Sequence, residues 1–217
     1  MVLLSLAKPA EAEPGLLLKQ FSARYGSVTC MATGQNFRMD ASELRVLLKP
    51  PFKQIDMYNM ANKTRYNCVI DDLGKDISWH DMSAKEKKAG GTEAVVPNGA
   101  GMLQDYKLNR YLIVHNFPHK PSKTAMDFWT TRETDFPKPL ETACCKLTGL
   151  PVGYGFPVKM YQYQDNTGRN GKTYIVHFKV LETTKVTKQD FPATTFTQPK
   201  GFRLAADLME LMVSGDQ

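Results

Sequence analysis

Apolar and polar positions alternate along much of this chain, with a period of two more often than the helical 3.6. Phe37-Arg38-Met39-Asp40 alternates, Leu44, Val46 and Leu48 share one parity, and Ile55-Asp56-Met57-Tyr58 and Tyr66-Asn67-Cys68-Val69-Ile70 repeat the pattern. Successive side chains of a strand point to opposite faces, so each run predicts a strand with one apolar face. The connectors at residues 40–42, 49–52 and 59–63 are short enough to join antiparallel neighbours. The first half therefore reads as a meander.

The middle is less regular. Residues 76–89, with Ile77, Trp79 and Met82, predict a short helix closed by Gly90-Gly91, and Pro97-Asn98-Gly99 predicts a turn. Residues 106–114 and 124–131 are rich in aromatic and β-branched side chains and read as two strands, separated by His115-Asn116-Phe117-Pro118-His119. A long hairpin follows, with arms at 155–164 and 172–182 and a turn over 165–171. On its second arm Tyr174, Val176, Phe178 and Val180 are expected on one face, and Thr173, His177 and Lys179 on the other. Leu204, Ala205, Leu208, Leu211 and Met212 recur at helical spacing and predict a short closing helix.

Nine or ten such strands are too many for a flat open sheet. The expected fold is mainly β (α+β), a strongly curved antiparallel sheet forming a half-barrel, with a few short helices covering its concave side. No run approaches the ~20 apolar residues of a membrane-spanning helix. The 28 basic residues are scattered and offset by 22 acidic ones, so the net charge of +6 does not by itself indicate nucleic acid. The densest run, Lys85, Lys87 and Lys88, reads as a solvated helix end. At the amino terminus an apolar cluster followed by Ala10-Glu11-Ala12 resembles the end of a leader with a small-x-small cleavage pattern. Residues 1–12 are thus expected to be a signal-peptide remnant, 13–217 one domain, and the location periplasmic or exported.

Residues with catalytic potential are few. His115 and His119 are closely spaced, but Pro118 places them on a loop rather than a metal-binding helix face. Asp71-Asp72, near Asp76 and Asp81, lacks the spacing of a calcium loop and reads as a surface turn. Cys30, Cys68, Cys144 and Cys145 contain no C-x-x-C pair and no thiol-nucleophile signature. In an exported protein they permit one or two disulfides of undetermined pairing, and in a cytosolic one they are small buried residues. No enzyme activity, metal or cofactor is expected.

The runs within residues 26–70 (Asn36-Phe37-Arg38-Met39-Asp40, Lys49-Pro50-Pro51-Phe52 and Met57-Tyr58-Asn59 to Tyr66) resemble the opening meander of the LolA/LolB/LppX-like lipoprotein-carrier superfamily. They are closer to an uncharacterised bacterial periplasmic branch than to the carrier itself. Asp105-Tyr106-Lys107 with Arg110-Tyr111 is similar to a recurring strand of that branch. Gly153-Tyr154-Gly155-Phe156-Pro157-Val158, with Phe191-Pro192 and Phe196-Thr197-Gln198-Pro199-Lys200-Gly201-Phe202, resembles its closing pattern. The resemblance implies a half-barrel whose apolar cavity holds lipid or acyl chains, and it offers no catalytic residues.

The apolar faces of the strands give the expected cavity lining as Phe37, Met39, Val46, Ile55, Met57, Phe128, Val158, Met160 and Val176. Eleven methionines would suit an adaptable apolar cavity and equally an irregular closed core. The expectation is a non-enzymatic protein that binds lipid, lipoprotein acyl chains or another hydrophobic ligand. The alternatives are an envelope assembly module that contacts a protein partner and fills its own core, and, more remotely, a thiol- or metal-dependent hydrolase.

Overall fold

The computed structural model describes residues 12–73, 81–167 and 171–212. Its strands are β1 (Glu13–Ser22), β2 (Gly26–Thr33), β3 (Phe37–Ala41), β4 (Leu44–Leu48), β5 (Gln54–Asn59), β6 (Thr64–Val69), β7 (Thr92–Leu103), β8 (Tyr106–Phe117), β9 (Lys120–Thr131), β10 (Phe156–Thr167), β11 (Thr173–Phe191) and β12 (Arg203–Leu204). They form one 12-stranded sheet in the order β12-β6-β5-β4-β3-β2-β1-β11-β10-β9-β8-β7. Only β12 with β6 is parallel. The sheet is large, curved and unclosed, with a few short helices, as the alternation predicts. Two meanders, β1 to β6 and β7 to β11, meet where β1 pairs with β11.

The concave face is built in cross-strand rows, because residues opposite one another in the ladder share a face. Leu18, Cys30, Met39, Val46, Met57 and Tyr66 are successive partners across β1 to β6. Leu16, Ala32, Phe37, Leu48, Ile55 and Cys68 form the row beside it. In the other meander Tyr111, Phe128, Met160 and Leu181 are successive partners. A slip of one residue would turn any of these rows out to water, so the register is strongly specified.

Four α-helices occur among the described residues: α1 (Ile70–Leu73), α2 (Ala84–Lys88), α3 (Lys138–Thr148) and α4 (Leu208–Met212). Helix α3 carries Leu140, Ala143 and Cys144 at helical spacing into the core of β1 to β6. Its next residue, Cys145, belongs to the second cluster with Ile113, Met126, Phe128 and Met160. Thus α3 joins the two halves of the concave face. It begins with proline in its first turn and ends at Gly149, whose φ of 68° is the left-handed conformation that favours glycine. This helix is not among the elements expected from periodicity, although its end signals are present in the sequence.

The chain then crosses the convex face. Arg38 donates to the Thr195 carbonyl at 2.8 Å, Gln198 to Asp56 at 2.9 Å, and Phe202 meets the buried Tyr58 edge-on at 5.3 Å. Beneath this strap burial pushes the Asp40 carboxyl up, but Arg38 and Arg45 more than offset it and hold its pKa below the usual range. Strand β12 pairs with β6 at the sheet edge, and α4 returns to the concave side with Leu211 fully buried.

Several expectations change. Of the helix expected over 76–89, the described part is α2, capped reciprocally by Ser83 and Glu86 and preceded by non-helical 81–83; residues 76–80 lie outside the described residues, as do 1–11 of the leader reading and 168–170 of the hairpin turn. Pro97-Asn98-Gly99 is no turn: β7 continues through it with a register shift. As an edge strand, β7 tolerates a proline without N–H and a bulge. Strand β8 runs to Phe117, so His115 is a buried strand residue, and Ile70 begins α1 with Asp71-Asp72. Leu204 is in β12, and the closing helix begins only at Leu208. The face expected from Tyr174 to Val180 breaks at a bulge before Leu181, so Val180 and Leu181 are both buried.

At Gly15 a Cβ would stand 2.3 Å from the Ala32 carbonyl oxygen. Gly15→Ala is expected to force β1 from β2 and to cost about 1–3 kcal/mol, read as a lower urea midpoint. No helix among the described residues is long and apolar enough to cross a membrane.

Candidate functional site

A cleft of about 90 Å³ remains where α3 and α4 meet the concave face. Strands β2 to β4 contribute Val28, Met39, Leu44 and Val46, and β10 and β11 contribute Met160, Val180 and Leu181. Leu147 of α3 and Leu208 and Met212 of α4 form the opposite wall. Polar groups sit at Gln20, Ser22, Arg24, Tyr25 and Thr148. The lining is thus largely apolar, with a polar side near the β1–β2 turn. Arg24 is exposed there, its guanidinium 5.5 Å from the Tyr25 ring centroid.

Of the nine residues expected to line a cavity, Met39, Val46 and Met160 meet at this cleft. Phe37, Ile55 and Met57 lie within the core that α3 covers, and Phe128 lies in the second cluster. Val158 is buried at the register shift of β10 against β9. Val176 is half-buried in the outer part of the long hairpin, away from the cleft. The β1 and α3 walls, and the place of the closing helix α4 against the cleft, go beyond the expected lining. Their signals were the Leu16-to-Phe21 segment, the Leu140, Ala143, Cys144, Leu147 spacing, and Leu208 with Leu211-Met212.

The hydrogen bonds beside the cleft are structural. The Cys30 thiol donates to Gln20 Oε1 at 3.2 Å, and Gln20 Nε2 donates to Thr183 Oγ1 at 2.8 Å. Burial, assisted by the Asp40 charge, pushes the Cys30 thiol up to about 12. Burial raises Cys144 well above its ordinary value, with Cys30, Cys145 and Glu141 adding to it, and takes Cys145 to about 12 with help from Glu141. All four cysteines are free thiols in this structure. An activated nucleophile needs a lowered pKa, whereas these environments hold the thiol protonated.

Among the described residues the histidines do not form a centre either. His115 Nε2 lies 3.5 Å from Glu93 Oε2, in register with Lys123, and His119 is in the turn that follows β8. Among the described residues no group of three or more His, Cys, Asp or Glu side chains could hold a metal ion. What the cleft offers chemically is apolar contact surface with a polar mouth.

Compared with protein-family models and with curated protein sequences, the chain matches none.

Proposed function

We propose that this protein is a non-enzymatic, periplasmic binding protein that takes a slender apolar chain, such as an acyl chain with a polar or anionic end, into the cleft between α3, α4 and the concave sheet. The observation that carries the reading is the cleft itself, bounded by Met39, Val46, Met160, Leu208 and Met212, with Arg24 at its rim. The resemblance of the meander and closing segments to lipoprotein carriers points the same way. Removing apolar surface from water, at roughly 25 cal/mol per Å², would drive binding, and Arg24 would meet the polar end.

The size of the cleft limits the ligand. At about 90 Å³ it is well below the ~300–1,000 Å³ typical of ligand pockets, so a chain enters only as the cleft widens. Helix α4 is the wall suited to move. It has five residues and is tied by Leu211 and by the Asn59 side chain donating to the Leu211 carbonyl at 2.9 Å.

The test is uptake of a fluorescent long-chain fatty acid, with native mass spectrometry of protein purified without detergent. One chain per protein is expected, and Val46→Phe, which fills the cleft, should weaken uptake at least tenfold, about 1.4 kcal/mol. A clean apo mass with no uptake would overturn the proposal. It would favour a second reading, an envelope assembly module with a self-filled core. That reading has its own observation: Phe37, Ile55 and Met57 are already packed with α3 and Leu211 in one core cluster.

A further inference from the structure

Strand β11 is 19 residues long, but only Thr173 to Glu182 pair with β10. From Thr183 to Phe191 it continues beside β1, while the start of β10 turns away to pair with β9. The sheet is therefore split, and β11 has an open edge inside the fold. A cleft of about 540 Å³ occupies the split. Pro14, Gly15 and residues 188–190 line one side, and Tyr106 with residues 133–136 lines the other.

The direction of the backbone groups follows from one hydrogen bond. The Val186 amide donates to Gln104 Oε1 at 2.6 Å, so it points away from β1, and a side-chain carbonyl takes the place of a strand partner. Backbone groups along an antiparallel strand point alternately to one neighbour and the other, so Lys188 and Asp190 also turn their N–H and C=O groups into the split. Pro14, which has no N–H to give, stands opposite Asp190, in agreement with that parity. Among the described residues no hydrogen bond joins the Lys188 or Asp190 backbone to a partner on this side. Both residues are exposed.

The charges around the split select the partner. Glu133, Asp135 and Asp190 line it against Lys188. Asp105 and Asp135 both lie close enough to act on the Tyr106 phenol, whose hydroxyl is buried without a hydrogen-bond partner. Lys107 is drawn to Glu133, which also accepts its backbone N–H at 2.6 Å, and still leaves an acidic surplus. We propose that the split is a docking edge for an extended, basic peptide segment of a partner protein, which pairs as an added strand with Lys188 to Asp190 and sets its basic side chains against Asp135 and Asp190. This is strand addition at an unpaired edge, with backbone bonds giving affinity and the cleft giving selectivity.

The experiment titrates the full chain with fluorescein-labelled acetyl-Lys-Val-Lys-Val-Lys-Val-amide, its Glu-for-Lys counterpart and a version N-methylated along the backbone, by fluorescence anisotropy. The lysine peptide is expected to bind, and the glutamate and N-methylated peptides at least tenfold more weakly. Lys188→Pro removes a backbone donor that faces the split and no bond to β1, so its urea midpoint should be kept, and affinity should fall at least tenfold even though the lost ammonium leaves the split more acidic. Asp135→Lys, on an exposed loop position, tests the charge without touching β11. Equal binding of the N-methylated peptide, or affinity unchanged in Asp135→Lys, would overturn the proposal.

Discussion

Phe128→Ala is expected to destabilise the protein by about 3–5 kcal/mol, a large share of the ~5–15 kcal/mol that holds a domain folded. Phe128 is fully buried in the second cluster, stacked on Tyr111 at 5.3 Å and met edge-on by Tyr154 at 5.9 Å. Truncation removes both ring contacts and leaves a hole beside Cys145 and Met160, which α3 and the sheet hold in place. Val176→Ala on the outer hairpin is the comparison. That side chain is only half-buried and outside both clusters, so the change should be within about 0.5 kcal/mol. Urea denaturation followed by two probes measures both. A loss below about 1 kcal/mol for Phe128→Ala would mean that the second half of the concave face is not packed as described.

Alkaline pH is expected to unfold the chain through its buried thiols. Burial raises Cys30 and Cys145 from 9.0 to about 12 and takes Cys144 well above 9.0, so the unfolded chain ionises these groups first. Their contribution is therefore complete below pH 9, shrinks as pH rises above it, and is lost as pH passes through the folded values. The slope is about 1.4 kcal/mol per pH unit for each thiol. Burial also raises Tyr58, Tyr106, Tyr161 and Tyr163 above 10.0, but in the unfolded chain these ionise only as pH nears 10, so the cysteines dominate the loss from pH 9 to 10. Urea midpoints across that interval should fall steeply in the native sequence and much less in a variant with alanine at positions 30, 144 and 145. Equal slopes would show that these thiols are not buried as neutral groups.

The meander from β3 to β6 was legible because one face of each strand is buried and the other is not. Burial of that kind writes a period of two into the residues themselves, as in Phe37 to Asp40 and Ile55 to Tyr58. Strand β1 was not legible in the same way. Leu16, Leu17 and Leu18 are consecutive, and the strand lies between β2 and β11 in the middle of the sheet, so apolar residues serve both faces. Bulges also hide from a period-two reading. The extra residue at Val180 puts two neighbours inside together, and the shift at Pro97 to Ala100 lets a turn-like tripeptide stay within an edge strand.

Local residue patterns by themselves determined the class of this protein: antiparallel strands with one apolar face, too many to stay flat, closed by short helical segments. The tertiary structure alone decided which apolar residues meet at the cleft and which fill the core. Phe37 and Met39 share a face of one strand, yet Phe37 is packed beneath α3 while Met39 borders the cleft. Alternation assigns a side chain to a face, whereas its neighbours across that face come from helices a hundred residues away along the chain. The split beside β11 was out of reach for the same reason, since an unpaired edge depends on where β10 departs and carries no periodic signal.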